Sequence, residues 1–189
     1  MQPLFIIPPA ANKTPPYYPY NAWSSLPLAI PLMVEPTSVY GSMSGILAIT
    51  SFTWWWSGDE QARIIDVACV SYFLSYPAAI SCGVNDLPIV VATTSVVLGT
   101  TRWDNSLQFI LTTSLSGSLI ILAINEEYLI LATTIIAIVA KMVDLLGIYR
   151  HGTAIFHVLS GIALFLIQNH NLVVYDDSVA VYALELLPP

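Results

Sequence analysis

Five side chains in this 189-residue chain carry the chemistry that its sequence offers. Asp66, Lys141, Asp144 and His157 fall inside long apolar runs, and Ser51 lies near the end of another. An ionisable group at mid-bilayer costs at least about 2.5–3.5 kcal/mol, so it needs a partner, a wet cavity or a function. A carboxylate, an imidazole and a hydroxyl at one depth can bind, exchange protons or ligate a metal. Simpler readings exist for each residue. Lys141 and Asp144 are three apart and can pair on one helix, with Lys141 snorkelling outward. Arg63, one turn before Asp66, can hold that carboxylate. His157 can be a neutral imidazole satisfied by a neighbouring helix, and His151 a solvated loop residue.

The elements that must position these residues are apolar helices. Only 9 % of the residues are charged and 56 % are hydrophobic, against roughly 25 % charged in a soluble domain. Mean hydropathy is +0.73. Seven apolar segments are long enough to consider as spans: 20–34, 38–56, 63–83, 87–103, 106–125, 128–147 and 152–168. The first holds Pro27 and Pro31 and is expected to be kinked or re-entrant. The expected fold is therefore all-α: a seven-transmembrane up-and-down helix bundle over 21–168, with sequential helices adjacent. A proline-rich arm, 1–20, precedes it, and a short acidic tail, 169–189, follows. Nine of the thirteen prolines lie in the first 36 residues. There is no internal repeat and no signal peptide pattern.

Charge in the gaps sets an expected orientation. If all seven segments cross, one face carries Lys13, Arg63, Arg102 and Arg150 together with Asp59, Glu60 and Asp104. The other carries Glu35, Asp86, Glu126, Glu127, Asp176, Asp177 and Glu185, with no base. The positive-inside rule then puts the N-terminus in the cytosol (or stroma or matrix) and the C-terminus on the opposite side. Trp23, Trp54, Trp55, Trp56 and Trp103 all fall near the basic face, as an interfacial belt would. An Asn-Lys-Thr sequon at Asn12 tests this, because sequons are modified only on the lumenal side.

Net charge of −7 and the lack of a basic patch exclude nucleic acid as a partner. Membrane lipids are the expected partners, with other membrane subunits as a second class. Cys69 and Cys82 would lie about 20 Å apart on one helix, beyond disulfide reach. There is no phosphate-binding loop, no C-x2-C pair and no H-E-x2-H helix. Gly41-Ser-Met-Ser-Gly45 has the wrong glycine spacing for a hydrolase elbow and reads as a small-residue packing face.

At about 1.5 Å per residue, Ser51, Asp66, Lys141, Asp144 and His157 lie roughly 5–9 Å in from the basic face. In that layer the chain resembles a known family. Ser51-Phe-Thr-Trp-Trp55, followed by Asp66 at the head of the next helix, is similar to the S-x3-H-x10-D pattern of the CREST superfamily. That group comprises alkaline ceramidases, progestin and adipoQ receptors and GPI-remodelling phospholipases. Gly152-Thr-Ala-Ile-Phe-His157 resembles its H-x3-H motif, with Thr153 and His157 in the two histidine places. Asn21-Ala-Trp-Ser-Ser25-Leu is similar to the start of the first helix in alkaline ceramidases.

The resemblance implies seven spans and a zinc ion held by three histidines, whose bound water attacks a lipid amide or ester. This chain departs from it: Trp55 and Thr153 stand at two of the three histidine positions, and zinc hydrolysis needs about three protein ligands plus water. The leading expectation is a divergent, non-catalytic member whose polar layer serves lipid binding, packing or a partner. The alternative is a zinc-dependent lipid hydrolase with a rearranged site. There His157, Asp66 and Asp144 would be metal ligands, with Ser51, Asp66 and His157 catalytic and Ser51 stabilising the oxyanion. A third reading is a structural subunit of a respiratory or photosynthetic complex, with His157 able to ligate haem or pigment.

Overall fold

A computed structural model describes residues 19–100, 104–149 and 151–185. Most of the proline-rich arm, with Lys13 and the sequon, lies outside them, as do Arg102, Trp103 and Arg150. Among the described residues the chain is all-helical. The first apolar segment is broken, as its prolines require: α1 spans Pro19–Ser24, a 3₁₀ turn spans Leu26–Ala29, and α2 spans Ile30–Val34. Then follow α3 (Val39–Ser57), α4 (Glu60–Ser81), α5 (Asp86–Thr100), α6 (Asp104–Ile124), α7 (Tyr128–Leu145) and α8 (Gly152–Glu185). The helix that carries His157 thus continues through most of the segment expected to be a tail.

Side-chain oxygens start the helices of the best-defined hairpin. Ser38 caps α3 by accepting from the Gly41 N–H, and Asp59 caps α4 by accepting from Gln61 and Ala62. Each satisfies donors that the first turn would otherwise orphan. Hydroxyls within the apolar helices bond back to their own turns, as Thr50, Thr53, Thr133 and Thr134 do to carbonyls four residues earlier. That accounts for abundant Ser and Thr in apolar helices.

Two helical stretches, Glu60–Ser81 and Gly152–His170, are long and apolar enough to cross a membrane; Asp86–Gly99 and Leu111–Ile124 are shorter apolar helices. Packing is less sequential than expected. Helices α3, α4 and α5 are neighbours and α7 lies along α8, but α6 packs chiefly on α4. The broken first segment is clasped between α3 and α8. Gly161 permits that clasp, because a Cβ there would stand 2.5 Å from the Pro27 carbonyl oxygen.

The main core joins Tyr40, Leu47, Tyr72, Phe73, Leu164 and Ile167. Trp54 and Trp55 are buried with Ala22 and Ala62, whereas Trp23 and Trp56 are exposed and meet edge to face. Of the belt expected from sequence, half of the described tryptophans are therefore core. Cys69 is buried and Cys82 exposed, both as free thiols.

Candidate functional site

The structure brings Ser51, Asp66 and His157 to the wall of one cavity. His157 is buried on α8 beneath the broken first segment. Its Nδ1 lies 3.1 Å from the Asn21 carbonyl oxygen and 3.1 Å from the Ser24 hydroxyl. Ser24 itself donates to the same carbonyl at 3.0 Å. One assignment satisfies all three contacts: Nδ1 carries the proton and shares it between the carbonyl and the Ser24 oxygen. The lone pair is then on Nε2.

Asp66 stands on α4 opposite. The Ser51 hydroxyl is its hydrogen-bonding neighbour, and Lys141 acts on it through charge. Its Oδ1 is enclosed and has no hydrogen-bond partner among the described residues. Arg63 does not hold it, because its guanidinium is engaged with Glu60 one turn earlier.

Lys141 and Asp144 do not simply pair. Thr153 sits between them: Lys141 Nζ donates to Thr153 Oγ1 at 2.9 Å, and the Thr153 hydroxyl donates to Asp144. Asp144 also accepts from the Thr153 backbone N–H at 2.9 Å, which caps α8 from the neighbouring helix. The Lys141 ammonium lies 5.3 Å from the Trp55 ring centroid and 5.9 Å from that of Phe156, within cation–π range. Trp55 in turn stands 6.1 Å, ring to ring, from His157.

These contacts test the zinc arrangement. Asp144 is committed to the α8 terminus and His157 Nδ1 to the first segment. The place of one expected ligand holds an indole, with an ammonium over its face. Among the described residues no three His, Cys, Asp or Glu side chains come together as metal ligands. Of the expected set His157, Asp66 and Asp144, the first two share the cavity wall, and Asp144 is engaged at the start of α8. The donors present do not fit zinc. His151 is exposed and packs its ring on Tyr20 and Tyr149 instead.

The cavity has a volume of about 150 Å³ and is partly open. Ser51, Asp66, His157 and Ser160 mark its polar end. Leu47, Phe73, Leu119, Leu164 and Ile167 are among its apolar walls. It extends along α4 from Asp66 to Pro77, eleven residues and so about 16 Å. Ser24, which stands in the Asn21–Ser25 run, and Ser160 join the site without having been candidates on sequence alone. The signal for Ser160 was its position three residues after His157, on one helix face.

A second polar group occupies the far end of the bundle. Gln168, almost fully buried, donates from Nε2 to Glu35 Oε2 at 3.3 Å. Asp86, at the first position of α5 and outside the apolar run, is held above the usual carboxylate range by burial. A hydrogen bond from Tyr76 lowers it, and the Glu35 charge raises it further. No family model, no curated protein and no solved structure matches the chain.

Proposed function

We propose that this chain is a multi-pass membrane protein, a divergent CREST-like seven-span bundle, that holds an apolar lipid chain in its interior and does not carry out zinc hydrolysis. The observation that carries this reading is the cavity of about 150 Å³, mostly apolar along its length, with Ser51, Asp66, His157 and Ser160 at one end and the carbonyl-bonded hydroxyls of Ser118 and Thr134 further along. A void of that size is filled by a guest about as large as benzene, so the end of an acyl chain would enter it from its open side, against walls that are mostly apolar. Its partial opening suits entry from the bilayer side.

The donor set argues against hydrolysis, since the groups standing where ligands are needed already serve packing and capping. The outward side chains support the membrane setting: Ile49, Leu87, Leu98, Ile136 and Val139 are exposed on α3, α5 and α7. In water such a surface would associate.

The test is native mass spectrometry of protein purified in mild detergent without chelator, with metal analysis of the same sample. The expected result is one retained lipid per chain, substoichiometric zinc, and loss of the lipid in Ala163→Phe, which fills the apolar wall. Stoichiometric zinc together with lipid amidase or esterase activity lost in His157→Ala would overturn the proposal.

A further inference from the structure

Four buried side-chain polar atoms lack a hydrogen-bond partner among the described residues, and three of them belong to the far end of the bundle: Tyr72 Oη, Asp86 Oδ1 and Gln168 Oε1. Buried polar atoms are nearly always satisfied, so three together call for an explanation. The geometry gathers them from three directions. Gln168 and Tyr72 are 3 % and 0 % exposed. The Gln168 amide donates from its nitrogen to Glu35, and its Oε1 is buried with no partner among the described residues. Tyr72 packs 5.4 Å, ring to ring, from Tyr76, and Tyr76 bonds the Asp86 carboxylate. Tyr72 lies within electrostatic reach of Asp86, and Asp86 of Glu35.

The unpartnered atoms are all oxygens, and the group holds two carboxylates that oppose each other. Among the described residues the bases Arg63 and Lys141 belong to the other end of the bundle: Arg63 precedes Tyr72 on α4 by nine residues, about 14 Å, and Lys141 bonds Thr153, fifteen residues before Gln168 on α8, about 22 Å. The nearby His170 is engaged 3.0 Å from Glu127. The Tyr72 hydroxyl can donate its single hydrogen to one of the others, so the carboxylate and amide oxygens left over need a further donor or a cation between them. Two carboxylates match the charge of a divalent ion, and a mixed set of carboxylate, amide and hydroxyl oxygens suits calcium, which tolerates irregular geometry. Magnesium demands a near-octahedral shell and keeps its waters.

We infer that Glu35, Asp86 and Gln168, with the Tyr72 hydroxyl, form a site for a hard divalent cation of the calcium class, joining the α2–α3 turn, α5 and α8. So few protein ligands place its affinity at the weak end, about 0.1–1 mM. This site is separate from the lipid cavity and stands or falls without it.

The probe is terbium, whose emission is sensitised by nearby tyrosines, added to the full chain in detergent and competed with calcium. Saturable emission at one ion per chain is expected, displaced by calcium and not by the same concentration of potassium. Glu35→Gln and Asp86→Asn should each weaken binding at least tenfold, while Asp66→Asn at the opposite end leaves it unchanged. Both far-end substitutions remove like charge, so with EDTA present they should melt no lower than the parent, which controls for folding. Absence of saturable emission, or unchanged binding in the double variant, would overturn the inference.

Discussion

Asp144 on α7 caps α8 through Thr153, accepting its backbone N–H at 2.9 Å and its hydroxyl as well. The relationship explains why neither residue is available to a metal. Thr153 is held by the cap it receives, and Asp144 is spent in giving it. Gly152 belongs to the same contact, since a Cβ there would strike the Ala140 carbonyl and the Asp144 side chain. Replacing Asp144 by alanine removes the cap and should cost about 1–2 kcal/mol of stability. Thermal unfolding in detergent measures it. Because the cap lies outside the cavity wall, lipid retention should survive.

His157 is predicted to act through its Nδ1 proton. Alanine there removes the donor that Asn21 and Ser24 share, at a cost of about 1 kcal/mol for the hydrogen bond and more for the lost volume. Asparagine, whose amide nitrogen can stand where Nδ1 does, should recover part of the stability. Glutamine reaches toward the Nε2 position instead and should recover less. Equal melting temperatures for His157→Asn and His157→Gln would contradict the assigned tautomer.

Asp66 carries an enclosed oxygen with no hydrogen-bond partner among the described residues. Burying such an acceptor on a carboxylate is costly. Asp66→Asn keeps the shape and lowers that cost, so the lipid-free protein should gain about 1–2 kcal/mol. A loss of stability instead would mean that the attraction of Lys141 outweighs burial. Denaturation with and without added lipid separates the effect on the bundle from the effect on binding.

Much of this was legible in the sequence. The all-helical class followed from apolar runs, and the broken first segment from Pro27 and Pro31. Ser51, Asp66 and His157 reach one cavity because depth along a helix follows from residue number. Azimuth does not. Whether Asp144 turned to His157 or to the start of α8 depended on a close approach of α7 and α8, which one glycine permits. Spacing on one helix allows Lys141 to pair with Asp144, but it cannot show the Thr153 hydroxyl arriving from another helix. The far-end group was missed because Glu35 and Asp86 looked like ordinary gap charges. Gln168 offered a clue: eleven residues after His157, it falls on the same helix face.

Gly161 provides the last prediction. Its missing side chain lets the 3₁₀ turn approach α8, with the Pro27 carbonyl 2.5 Å from where a Cβ would stand. Both partners are backbone, so neither can rotate away. Gly161→Ala must push the first segment outward, and overpacking of this kind costs about 1–3 kcal/mol. The displacement acts one turn from His157, whose hydrogen-bonding neighbours Asn21 and Ser24 ride on that segment. The variant should therefore lose both stability and the His157 contacts, and its lipid retention should fall with them. Ser160→Ala, one residue away but without the clash, serves as the comparison: it should melt within about 1 kcal/mol of the parent. If Gly161→Ala melts like Ser160→Ala, the first segment is not clasped against α8 as described.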